Sequence, residues 1–149
     1  MRNLILASSL AMILAACQPS NYQAYQEFDG ACWQQSDTLW FELPESPTTQ
    51  LSVSMQIEAD YGYQNIYLLA GVKGDSGMET VVIGDTLISP TGDWLLPLSG
   101  NQATVEIPTN LPNSSKTGAK GFVTQYMRTE SLCHIRSVGV EIASGVEGM

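Results

Sequence analysis

From Tyr25 onward the chain alternates apolar and polar residues with a period of two. In Gln50 to Glu58, Leu51, Val53, Met55 and Ile57 interleave with Ser52, Ser54, Gln56 and Glu58, which predicts a strand with one apolar and one wet face. Leu39, Phe41 and Leu43 alternate with Trp40 and Glu42 before Pro44, whose missing N–H ends the run. Ile66, Leu68, Ala70 and Val72 form a third strand, with a turn expected across Gly71 to Gly77. Ala103, Val105 and Ile107 alternate up to Pro108, and Val138, Val140 and Ile142 alternate near the C-terminus. Shorter runs at Thr80 to Ile83, Trp94 to Leu98 and Phe122 to Met127 fill the gaps. Ser89-Pro90-Thr91-Gly92-Asp93 and Leu111-Pro112-Asn113-Ser114-Ser115 are turn chemistry. About eight one-sided strands with regular turns and no helical period predict one all-β domain. Its architecture is an antiparallel β-sandwich of jelly-roll or immunoglobulin-like type.

The first residues follow a different rule. Arg2 is followed by an apolar run from Leu4 to Leu14 and then by Ala15-Ala16-Cys17. A basic start, a short apolar core and small residues before a cysteine make a lipoprotein signal. The run is short of the roughly 20 residues that span a bilayer. The expected organisation is a cleaved signal at 1–16, a lipidated tether at 17–26, a sandwich domain at 27–145 and a tail at 146–149. Cys17 is the lipid-attachment residue, carrying diacylglycerol and an N-acyl chain such as palmitate, and no other cofactor is expected. Each buried methylene contributes about 0.8 kcal/mol, so such chains hold the protein to the membrane without help from charge. Gln18, rather than an aspartate, follows the cysteine, which favours the outer membrane. The lack of an acidic run after it favours the periplasmic leaflet.

Composition narrows the partners. Six Lys and Arg stand against fifteen Asp and Glu, for a net charge of −9, which argues against nucleic acid and against docking on anionic lipid. With Cys17 committed to lipid, Cys32 and Cys133 remain in a compartment where disulfides persist. They either pair, closing nearly the whole domain, or pack as two separate buried thiols. The first and last strands of a jelly roll often lie side by side, which would bring them together.

No residue set announces a reaction, and the reading is that of a protein without catalysis. His134 is the sole histidine, beside Cys133, and reads as an ordinary strand residue. No metal site is expected, because C-x-x-C spacing is absent. Asp75, Glu79, Asp85 and Asp93 read as solvated acids in or beside turns rather than Ca²⁺ ligands. Trp40 and Tyr67 fall opposite the apolar residues of their strands, so both rings are expected to point outward, where they can anchor a protein partner or stack on a sugar. Trp33 and Trp94 are expected in the core.

Three segments resemble the gliding-motility lipoproteins of the GldH type found in Bacteroidota. Tyr61-Gly62-Tyr63-Gln64-Asn65-Ile66-Tyr67-Leu68 is similar to that family's entry into a central strand. Ser89-Pro90-Thr91-Gly92-Asp93-Trp94-Leu95 is similar to its glycine-tryptophan segment, and Ile135-Arg136-Ser137-Val138-Gly139-Val140-Glu141-Ile142 to its closing strand. The resemblance implies an outer-membrane lipoprotein that supports the gliding apparatus and the linked type 9 secretion system through contact with other envelope proteins. It implies no catalytic residues. The alternative is a membrane-anchored module that binds a glycan or another small ligand through Trp40 and Tyr67.

Overall fold

The computed structural model describes residues 22–44, 50–74, 77–112 and 119–143. Their strands are β1 (Tyr22–Glu27), β2 (Trp33–Gln34), β3 (Leu39–Glu42), β4 (Gln50–Glu58) and β5 (Asn65–Gly74), followed by β6 (Gly77–Thr86), β7 (Gln102–Pro112), β8 (Lys120–Gln125), β9 (Ser131–Leu132) and β10 (Ile135–Ala143). The pairing is nested. β5 pairs with β6, β4 with β7, β3 with β8, β2 with β9 and β1 with β10, all antiparallel. One long ribbon is thus rolled so that β1-β10-β4-β7 forms one sheet and β3-β8-β5-β6 the other. This is a jelly roll, which decides between the two sandwich types left open by periodicity.

The strands form where the alternation places them because each inward row meets another. Leu51, Val53, Met55 and Ile57 are at most 1% exposed. They face Ile66, Leu68 and Ala70 of the opposite sheet across a core completed by Val138, Val140 and Ile142. Trp33 is fully buried, and its ring N–H donates to the Asp37 carbonyl at 2.9 Å. Trp94 is only partly buried, packed against the rim of the core, and its ring N–H donates to the Ala59 carbonyl at 3.3 Å.

Four expectations need correction. The segment expected as tether up to Gln26 becomes strand from Tyr22, so the sandwich begins before residue 27. Only Tyr22 and Ala24 turn inward there, too few apolar residues to make a visible period, and pairing with β10 supplies the order. β7 does not stop at Pro108 but runs to Pro112. It borders its sheet, so Pro108 can turn its missing N–H away from β4 at no cost to the ladder. Gly71 lies inside β5 rather than in a turn. Trp94 to Leu98 forms no strand, and Trp94 makes only an isolated bridge with Ile88. The signal, Cys17, Asp75 and the tail lie outside the described residues.

Candidate functional site

The alternation that buries one side of each strand must expose the other, and the outer face of β3-β8-β5-β6 is where that exposure is least polar. Trp40 (β3) and Tyr67 (β5) both point outward, 45% and 44% exposed. They do not touch. They stand two strands and several residues apart, on the order of 16 Å from strand spacing and rise, and Thr124 of β8, whose hydroxyl donates to the Gln35 carbonyl at 3.4 Å, lies between them beside Leu69. Phe122 opposes Trp40 in register, with ring centroids 5.1 Å apart. The next position in that row is Gly71, where the Phe122 ring lies 2.3 Å from where a Cβ would stand. Tyr67 covers Gly84 in the same way, at 2.4 Å. These glycines let the rings lie flat on the sheet, and the outcome is a low shelf rather than a pocket.

Leu69 and Val82 oppose each other between the two ring rows, and Val82 is 50% exposed. Tyr126 extends the shelf beyond Tyr67. Its N–H donates to the Tyr67 carbonyl at 2.8 Å, and its ring is exposed. At the opposite end Lys73, Lys120 and Met78 form the next row, and Lys120 pairs with Glu42 at 3.8 Å. A shallow groove beside Tyr67 is lined by Val82, Gly84, Asp85 and Thr86. Sequence reading missed Phe122, Val82 and Met78 as members of this face. Their parity was visible, but only pairing shows that they share a surface with Trp40.

The outer face of the other sheet is polar. The Tyr25 hydroxyl donates to Glu141 at 2.5 Å, and Gln23 donates to the same oxygen at 3.3 Å. Burial, then the neighbouring Glu141 charge, raises the Glu106 carboxyl above its usual range. Burial, then the hydrogen bond to Glu141, raises the Tyr25 hydroxyl.

At the end of the sandwich Trp33 opposes Leu132. One residue further out, Cys32 and Cys133 are joined in a disulfide with a Cα–Cα distance of 4.2 Å. Beside it runs a cleft lined by Gly30, Glu58 and His134. His134 is not the strand residue expected. It sits at φ 69° between β9 and β10, where the chain turns, and its carbonyl accepts the Glu58 N–H at 2.9 Å. Both sulfurs are tied to each other, so the histidine has no thiol beside it. Glu79 and Asp85 stand within β6, near its two ends. Asp93 closes the Ser89–Asp93 turn, its N–H donating to Ser89 Oγ at 3.1 Å. Among the described residues no group of three His, Cys, Asp or Glu could hold a metal ion, and no helix is long and apolar enough to cross a membrane.

The geometry defines a jelly-roll sandwich that presents one aromatic and aliphatic sheet face to its surroundings. The chain belongs to the GldH lipoprotein family, which matches residues 20–142. It is therefore a lipoprotein of the gliding-motility type, a membrane-anchored family of the cell envelope and not a known enzyme family. No curated protein and no solved structure matches the chain.

Proposed function

We propose that the protein is a non-catalytic, outer-membrane-anchored subunit of the gliding apparatus and the linked type 9 secretion system, docking other envelope proteins through the outer face of β3-β8-β5-β6. The observation that carries this reading is the exposure of Trp40, Tyr67, Val82 and Met78 on one sheet face of a gliding-lipoprotein domain. Apolar side chains gathered on one face suit protein contact better than solvent. Lipid on Cys17 would hold that face close to the bilayer. Only five peptide units separate Cys17 from the start of β1 at Tyr22, a reach of roughly 17 Å when extended.

The test is complementation of a deletion strain. Loss of the gene abolishes gliding and secretion, and the Trp40→Ala/Tyr67→Ala variant, which folds because both rings are exposed, fails to restore them. Intact gliding and secretion in the deletion strain overturn the reading. Metabolic palmitate labelling that disappears in Cys17→Ala, together with outer-membrane fractionation, tests the address. The half-exposed rings also favour a second reading, a glycan-binding module. Binding on a glycan array that is lost in the same double variant would select it.

A further inference from the structure

A sandwich has four border strands, and their unpaired backbone groups invite other strands. Two borders here are blocked. β7 carries Pro108 and Pro112. On β3, the Trp40 carbonyl accepts from Gln26 Nε2 at 2.9 Å and the Glu42 carbonyl from the Tyr22 hydroxyl. β1 supplies both of those side chains and so lies against that border.

β6 is different. It pairs with β5 without a bulge from Gly77 to Thr86 and contains neither proline nor lysine. Gly74 opposes Gly77 at the head of the hairpin, so the odd-numbered residues of β6 exchange hydrogen bonds with β5. Leu87 continues the rule, its N–H donating to the Gln64 carbonyl at 2.7 Å. The N–H and C=O groups of Met78, Thr80, Val82 and Gly84 therefore face outward, and none has a hydrogen-bond partner among the described residues. The free run ends at Thr86, whose N–H is taken by Asp85 Oδ1 at 2.9 Å.

Resting on the reading of the protein as a docking subunit, we propose that the border of β6 from Met78 to Gly84 is a strand-addition site for an extended segment of another envelope protein. That segment is apolar on one face and basic on the other. Its apolar side chains extend the shelf beside Val82 and Tyr67, and its basic ones meet Glu79 and Asp85, which share the opposite face of β6 and are exposed.

A second copy of this chain fits poorly. Self-pairing centred on Thr80 sets Glu79 diagonally across from its own counterpart. Centring on Val81 sets it diagonally across from Asp85, and centring on Val82 sets it directly opposite Asp85. Like charges so placed are destabilising, and the chain already carries −9.

The probe is a synthetic peptide that alternates valine with threonine and lysine, its lysines spaced like Glu79 and Asp85, titrated into the intact lipidated protein in nanodiscs. The expected result is protection of the Met78, Thr80, Val82 and Gly84 amides from hydrogen exchange. Reversing both acids, Glu79→Lys with Asp85→Lys, weakens binding at least about tenfold, and a glutamate-bearing peptide restores it. Val82→Pro removes an outward N–H while leaving the β5 ladder intact, and abolishes protection. Protection elsewhere, binding indifferent to charge reversal, or dimerisation through β6 instead of peptide binding overturns the proposal. In cells, a Val82→Pro strain that glides normally, where the deletion strain does not, sinks the border site and leaves the docking role standing. A deletion strain that glides normally sinks the docking role itself.

Discussion

At the scale of single residues, Tyr61 shows how burial couples to pH. Its side chain is 4% exposed, its ring packs edge-on against Tyr63 at 5.7 Å, and its hydroxyl donates to the Asn65 carbonyl at 2.9 Å. Burial first, and the neighbouring Tyr63 second, push this hydroxyl well above the ordinary value of 10.0. Unfolded Tyr61 ionises near that value while folded Tyr61 keeps its proton. Above it the native state binds more protons than the unfolded state, so the stabilisation present at lower pH is lost as pH rises. Thermal unfolding should therefore shift to lower temperature above about pH 10. Tyr61→Phe should shrink that alkaline shift while costing about 1 kcal/mol at neutral pH for the lost hydrogen bond. An equal alkaline shift in both proteins would exonerate Tyr61. The same scale decided the fate of Trp40 and Tyr67. Their outward direction was legible because strand parity is a property of neighbouring residues, whereas the Phe122 ring over Gly71 depends on which strand lies alongside.

At the scale of elements, reading along the chain did not find β1 or the two-residue strands β2 and β9, and β1 is the longest of the three. Gln23, Gln26 and Glu27 hide its alternation, and its order comes from β10 on one side and β3 on the other. Tyr22 and Gln26 make β1 a clasp between the sheets, each donating to a carbonyl on the border of β3. Tyr22→Phe should cost about 0.5–1.5 kcal/mol in guanidinium unfolding. Adding Gln26→Ala should open the border of β3 to other strands, seen as self-association by light scattering. A double variant as stable and monomeric as the parent would show that β1 is not a clasp. The long strands β4, β5 and β10 were legible because they alternate over many residues. β6 was read short, at Thr80 to Ile83, because its solvent-facing border gives it little apolar pattern: of its ten residues only Ile83 is buried.

At the scale of the whole molecule, the nested pairing brings distant residues together. Cys32 and Cys133 are 101 positions apart yet meet at one end of the sandwich, beyond the Trp33–Leu132 pair. Closing a loop of that length restricts the unfolded chain and stabilises the fold by about 4–5 kcal/mol on the chain-entropy account. Cys32→Ser with Cys133→Ser, or reduction of the parent, should lower the guanidinium midpoint accordingly without changing the strand signal in circular dichroism. An unchanged midpoint on reduction would mean that the bond contributes nothing to stability.

The sequence by itself determined the long alternating strands and which face of each is apolar, because both depend on contacts between residues one and two positions apart. It also carried the family resemblance in its turn and strand motifs. Tertiary structure alone decided the jelly-roll pairing, the meeting of the cysteines, the shared surface of Trp40, Phe122, Val82 and Tyr67, and the outward-facing backbone groups on the border of β6. Each of these is a relation between strands far apart in the chain, set by how the sheets close around their common core and not by any local pattern.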